Sequence, residues 1–133
     1  MRHLNDMRAG MAPEDFRRDL THIVTEVQRA CDPVTVLTTV YYIRDYDMWP
    51  PFDRGSVAAT KVFNGVIRDL AQAQGCLLAD IWEAQGQADW TVHSDGIHPN
   101  DLGQRLIANR VFETIAVNCS GIAAGVDRAR DAR

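Results

Sequence analysis

Acid–base chemistry is indicated by one short segment, residues 95–100 (Asp-Gly-Ile-His-Pro-Asn), in which a carboxylate precedes a histidine by three residues. An imidazole with an ordinary pKa near ~6.5 exchanges a proton at neutral pH, and an adjacent carboxylate orients the ring and stabilises its charged form. The spacing therefore predicts that Asp95 and His98 form the base half of a nucleophilic hydrolase. No obvious nucleophile stands beside them.

The same residues allow two other interpretations. Asp95 can bond backbone amides at the start of a helix, which leaves His98 without a chemical role. His93, Asp95 and His98 are also acceptable ligands for zinc or a similar ion. No established motif has their spacing, so we expect no bound metal.

Composition limits the class of protein. The chain has 133 residues, of which 46% are hydrophobic, and this is the size of one domain with an ordinary core. Its net charge is −4, and acidic and basic residues are mixed along the sequence. Nucleic acid and membrane are therefore not expected as partners, because both bind clustered basic residues.

The cysteines and the first residues suggest a compartment. Cys31, Cys76 and Cys119 are far apart and form no CxxC pair, so neither a zinc site nor a disulfide framework is expected. No apolar run is long enough to cross a bilayer, and residues 1–8 lack the hydrophobic core of a signal peptide. With Met1 as the true start, we expect a cytoplasmic protein.

Hydrophobic spacing predicts three main helices. The first runs from Pro13 to Ala30, the second follows an N-cap at Ser56 and stops at Gly75, and the last follows an N-cap at Asn100. The residues expected to form their buried stripes are Phe16, Leu20, Ile23, Val24 and Val27, then Val62, Phe63, Val66, Ile67, Leu70 and Ala71, and finally Leu102, Leu106, Ile107, Val111, Phe112 and Ile115.

Two segments predict buried parallel strands. Residues 34–42 are β-branched and aromatic and are apolar on both faces, and residues 76–80 form a short apolar run directly after the second helix. A loop over 86–99 carries the acid–base pair. The segment 119–133 has too little apolar content to pack and is predicted to be a disordered tail, which leaves 1–118 as the domain.

The alternation of helix and strand predicts an α/β fold with helices on both faces of a parallel sheet. Doubly wound sheets have about five strands, whereas this chain provides two. The sequence therefore predicts the C-terminal half of such a fold, truncated to about two parallel strands and three main helices.

Two segments resemble motifs of the SGNH, or GDSL-type, hydrolases. Residues 95–100, followed by a helix with Gly103, resemble the family's last block, which supplies the Asp and His of a Ser-His-Asp triad. Residues 3–6 (His-Leu-Asn-Asp) resemble its Gly-x-Asn-Asp block, although His3 replaces the glycine. The resemblance covers residues 3–117.

This resemblance implies both a fold and a reaction. The family's fold is a three-layer α/β/α, flavodoxin-like arrangement, and its members hydrolyse small-molecule acyl esters without a cofactor. By the match of motifs, His98 is the acid–base catalyst, Asp95 orients it, and Asn5 donates to the oxyanion.

The family's Gly-Asp-Ser nucleophile block has no counterpart in this sequence. Ser56 is accounted for as an N-cap, Ser94 adjoins Asp95 in a turn, and Ser120 lies in the predicted tail. We therefore expect a fragment of a longer esterase or an inactive remnant. The alternative is a non-catalytic binding module that covers an open sheet edge by homodimerisation or by association with another chain.

Overall fold

The computed structural model describes residues 2–31, 33–46 and 49–119. Within these ranges the backbone forms five α-helices, one 3₁₀ turn and two strands. In chain order they are α1 (Arg2–Arg8), α2 (Pro13–Cys31), β1 (Val36–Thr38), α3 (Val57–Ala73), β2 (Leu77–Ala79), α4 (Ile81–Gln85), the 3₁₀ turn (Asp89–Thr91) and α5 (Asp101–Asn118).

The two strands pair in parallel, with Val36 opposite Leu77 and Thr38 opposite Ala79. α3 is the crossover that parallel neighbours require. α3 and α5 each pack against both strands, while α1 and α2 pack on α3. The predicted α/β fold with two parallel strands and three main helices is confirmed. The helix α1 and the 3₁₀ turn are additions that hydrophobic spacing did not reveal.

The core lies between α2, α3 and the chain that follows β1. Phe16 of α2 and Phe63 of α3 pack with ring centroids 4.7 Å apart. Most of the predicted stripe residues of both helices are buried. Three of them are exposed, namely Ile23 at 50%, Val27 at 43% and Val62 at 51%. The contact between α2 and α3 is narrower than the apolar face of each helix, so the residues at the margin of that face stay in solvent.

β1 is shorter than the strand predicted over 34–42. It pairs only as far as β2 runs, and β2 ends where the Asp80 carboxylate accepts the Glu83 N–H as the N-cap of α4. Beyond β1 the buried Asn64 side chain replaces the missing strand, because it bonds both the N–H and the C=O of Val40, at 2.7 and 3.1 Å. Beyond Thr39, whose N–H still donates to the Ala79 carbonyl at 3.3 Å, the chain is therefore held by the Asn64 side chain rather than by a sheet ladder.

The predicted core stripe of the last helix is only partly correct, since Ile107 and Val111 pack against the core but none of its residues is fully buried. In α5 only Gly103 and Thr114 are buried, whereas Phe112 is 65% exposed and Leu102 47% exposed. A two-stranded sheet is too narrow to cover the whole apolar surface of an 18-residue helix. The other predicted stripe residues are half-buried, namely Leu106, Ile107, Val111 and Ile115.

α5 ends at Asn118. Apart from Cys119, the tail predicted over 119–133 lies outside the described residues. Among the helices of the described ranges, none combines the length and the apolar character needed to cross a membrane.

Candidate active site

Asp95 and His98 are in direct contact. Asp95 Oδ2 lies 2.7 Å from His98 Nδ1, while Oδ1 accepts the backbone N–H groups of Ile97 at 2.8 Å and of His98 at 3.0 Å. The Ile97 N–H, the His98 ring and the His98 N–H together hold the pKa of Asp95 far below its usual range. The carboxylate is therefore ionised at neutral pH and orients the imidazole.

This contact selects one tautomer of His98. An ionised carboxylate only accepts hydrogen bonds, so the neutral imidazole must carry its proton on Nδ1. Nε2 is then the basic nitrogen. The His98 side chain is 67% exposed, so a group approaching from outside the described residues can reach it.

Gly96 fixes the loop against the chain that follows β1. Its carbonyl accepts two consecutive backbone N–H groups, from Arg44 at 2.8 Å and Asp45 at 3.0 Å. Gly96 has a φ of 72°, and a Cβ at this position would overlap the Asp45 side chain. Only glycine combines this conformation with this close approach. The segment that follows β1 thus positions the Asp95–His98 loop.

The ends of the loop are tied to each other. The His93 N–H donates to the His98 carbonyl at 2.8 Å, and Val92 and Pro99 form an isolated antiparallel bridge. Asn100 then closes the loop onto α5, because its Oδ1 accepts the N–H of Gly103 at 3.0 Å and its Nδ2 donates to the Trp90 carbonyl at 2.8 Å. The predicted N-cap at Asn100 is confirmed.

A shallow cavity of about 460 Å³ opens beside the imidazole. One wall is the loop and the other is the first half of α5. Its lining residues are His93, His98, Pro99, Gln104, Ile107 and Ala108. This surface is mainly apolar, so it can contact the apolar part of a molecule that approaches His98.

Asn5 is not in contact with the acid–base pair. It lies exposed on α1, and its side chain makes no hydrogen bond to another residue of the described ranges. Charges from both regions nevertheless act on the pKa of the buried Tyr41. Burial raises the pKa of Tyr41, the charge of Asp95 raises it further, and the charge of Arg8, at the end of α1, lowers it.

Neither of the two described serines is placed as a nucleophile for His98. Ser56 Oγ accepts the Ala59 N–H at 3.0 Å and caps α3, as predicted. Ser94 is exposed, and its carbonyl accepts a bond from Arg44. Neither hydroxyl is hydrogen-bonded to His98. Ser120 lies outside the described residues.

The metal interpretation of His93, Asp95 and His98 gains no support from the geometry. Within the ranges that the structure describes, no three His, Cys, Asp or Glu side chains are grouped to hold an ion. Asp95 instead uses one oxygen for the His98 ring and the other for the backbone.

Sequence reasoning missed the residues that hold the loop from outside it. Arg44 and Asp45 carry no catalytic motif, yet their backbone N–H groups anchor Gly96. Their position directly after a predicted strand was the available signal, because functional loops of parallel sheets meet at the carboxyl ends of the strands.

Comparison with known proteins identifies one matching family and two solved structures of similar fold. A model of the GDSL-like lipase/acylhydrolase family matches residues 4–106, a range that contains Asn5, Asp95 and His98. None of the curated proteins is a significant match.

Two solved structures are similar in fold. TesA is 22% identical, with a TM-score of 0.65 over 84% of this chain and 57% of that one. LAE5, described as an alpha/beta hydrolase enzyme from the metagenome of Lake Arreo, Spain, is 25% identical, with a TM-score of 0.58 over 78% of this chain and 47% of that one. The present chain thus spans about half the length of these structures.

Proposed function

Since the chain belongs to the GDSL-like lipase/acylhydrolase family, we propose that it carries the acid–base half of a serine acyl-ester hydrolase. His98 is the general base and then the general acid, Asp95 orients it, and Asn5 donates to the oxyanion. The observation that carries the proposal is the 2.7 Å contact between Asp95 Oδ2 and His98 Nδ1, which leaves Nε2 as the basic atom.

The proposed reaction has two steps. A serine hydroxyl from outside the described residues attacks the ester carbonyl while His98 Nε2 takes its proton, and the same nitrogen returns the proton to the departing alkoxide. Water then attacks the acyl-enzyme while His98 Nε2 accepts its proton, and His98 returns this proton to the serine oxygen as the carboxylic acid leaves. The Asn5 amide N–H donates to the carbonyl oxygen as it becomes negative.

We place the nucleophile in a Gly-Asp-Ser block that this sequence does not contain, so this chain by itself should hydrolyse esters very slowly. Loss of the serine from a comparable protease triad lowers turnover by about a million-fold. The chain is then either one part of a longer hydrolase or a remnant without activity.

The experiment starts with the coding DNA upstream of Met1. If an in-frame Gly-Asp-Ser segment is present, the extended protein is assayed with a p-nitrophenyl short-chain ester. We expect hydrolysis by the extended protein and a loss of about 10³-fold or more for His98→Ala. Asp95→Asn tests the orienting role, with a loss of about 10⁴-fold expected if the wrong tautomer forms.

His22→Ala is the matched control, because His22 is exposed on α2 and belongs to no proposed site. It should leave the rate unchanged. An extended protein that hydrolyses the ester equally well with His98→Ala would refute the assignment of the base. An upstream stop codon would favour the remnant.

A non-catalytic interaction module is the second candidate function. The exposed apolar side chains of α5, above all Phe112 at 65% and Val117 at 82% exposure, favour it. Within the described residues β1 also pairs on one side only. A second copy of the chain covering these surfaces would give a homodimer, and the oligomeric state in solution is the test.

A further inference from the structure

Arg8 is a buried cation with an uncommon environment. It is the last residue of α1 and only 3% exposed. Its guanidinium carbon lies 5.9 Å from the centre of the Phe52 ring, and its carbonyl accepts the Arg54 N–H at 2.9 Å. The aromatic ring covers one face of the guanidinium, which leaves the N–H groups at its edge as the donors.

One edge of this guanidinium has no acceptor. In the part of the chain that the structure describes, Arg8 Nε and Nη2 are both buried and neither donates a hydrogen bond. Arg110 differs, since only its Nε is unpartnered and its Nη1 lies 3.6 Å from the Glu113 carboxylate. Arginine stays protonated in proteins, so Arg8 is a buried charge whose Nε–Nη2 edge meets no carboxylate among the described residues.

The same protein shows what this edge binds. Arg68 Nε and Nη2 donate to the two oxygens of Asp80 at 2.7 and 3.1 Å, forming a bidentate pair. The Nε–Nη2 edge matches the spacing of two oxygens in a carboxylate or phosphate. In Arg68 that edge is filled by a carboxylate of the chain, whereas in Arg8 no described residue accepts from it.

The surroundings of Arg8 favour an anion. Arg54, which follows Asp53 in the loop, packs its side chain over Gly10 next to the end of α1, and no ion pair joins it to a carboxylate of the described residues. Arg8 and Arg54 thus both lie at the end of α1. A buried, unpartnered donor pair with a second arginine nearby is an arrangement that proteins use for oxyanions.

We propose that Arg8 binds a small oxyanion, a carboxylate or phosphate group, through its Nε and Nη2 atoms, with Arg54 adding positive charge nearby. This site does not depend on the proposed hydrolysis. The charge of Arg8 also acts on Tyr41, which the charge of Asp95 reaches as well, so an anion bound at Arg8 would change the field near the acid–base loop.

The test is a titration of the full chain with sodium acetate and, separately, sodium phosphate at constant ionic strength set with sodium chloride. The readouts are the NMR signal of the Arg8 Nε–H group and the melting temperature. We expect the Arg8 signal to shift in a saturable manner and the melting temperature to rise by about 5 °C at ten times the dissociation constant. Saturation by acetate alone identifies a carboxylate site, and saturation by phosphate alone identifies a phosphate site.

Two variants test the Nε–Nη2 edge and the charge of Arg8. Arg8→Lys keeps the charge without the planar edge, and Arg8→Met removes both, so each should weaken anion affinity at least 10-fold. Arg29→Met, on an exposed arginine paired with Glu26, should leave the response unchanged. The proposal is overturned if neither anion shifts the NMR signal of the Arg8 Nε–H group. This measurement uses the unaltered protein, so it remains decisive even if a variant fails to fold. Equal stabilisation of the wild type and Arg8→Met would also overturn it.

Discussion

The two oxygens of Asp95 have separate partners. The sequence left open whether Asp95 holds the backbone turn or pairs with His98, and the structure shows that it does both. Oδ1 bonds the backbone N–H groups of Ile97 and His98, as a purely structural turn requires. Oδ2 bonds the imidazole, as an acid–base pair requires. The turn that places His98 and the charge that orients it are therefore supplied by one side chain.

The depressed pKa of Asp95 predicts how stability depends on pH. A carboxylate whose pKa is lower in the folded state than its unfolded value near ~3.9 stabilises the fold above that value, and this contribution is lost as the pH falls. Asp95→Asn keeps an oxygen acceptor but removes the charge. The wild type should be more stable than the variant at pH 6, and the difference should shrink below about pH 4. Urea unfolding at pH 6 and pH 3 measures it, and an equal difference at both pH values would contradict the prediction.

At the scale of the elements, the close approach of Gly96 to Asp45 couples the Asp95–His98 loop to the segment that follows β1. Gly96→Ala adds a side chain at positive φ and against Asp45. We expect a loss in the free energy of unfolding of about 3 kcal/mol, of which ~1 kcal/mol comes from the backbone conformation alone. Chemical denaturation measures the loss.

Two other glycines provide matched controls for that substitution. Gly75 also has positive φ, but a Cβ there meets no atom within 4 Å, so Gly75→Ala should lose only about 1 kcal/mol. Gly65 lies inside α3 with open space around it, so Gly65→Ala should gain about 0.5–1 kcal/mol. A Gly96→Ala loss no larger than that of Gly75→Ala would mean that the contact with Asp45 contributes nothing.

Local signals in the sequence predicted the elements better than their packing. Ser56 and Asn100 were identified as N-caps because capping depends on a few neighbouring residues. The length of β1 was overestimated because it depends on where β2 stops and on Asn64, which is 24 residues away from Val40 along the chain. The anchoring of Gly96 by Arg44 was missed for the same reason, since the contact joins residues distant in sequence.

At the scale of the whole molecule, α5 has an apolar pattern that the described fold does not bury. The sequence predicted its stripe by assuming a sheet wide enough to cover the helix. In the structure only Gly103 and Thr114 of α5 are buried, and Ile107 and Val111 pack against the core while partly exposed. The Asp95–His98 loop at the start of α5 is nonetheless ordered by its own hydrogen bonds. The chain thus holds a well-defined Asp95–His98 contact next to an incompletely covered helix.

This uncovered surface predicts self-association if the interaction module is the correct function. A dimer formed through α5 would bury Phe112, and an aromatic anchor at the centre of an interface contributes about 2 kcal/mol or more, equivalent to about 30-fold in affinity. Sedimentation velocity between about 1 and 100 μM, the range in which weak dimers exchange with monomers, should show a dimer that Phe112→Glu weakens by at least that factor. Ile23→Glu is the control, because Ile23 is 50% exposed on α2, away from α5. A wild type that stays monomeric at the highest concentration, or equal weakening by both substitutions, would exclude α5 as the dimer surface.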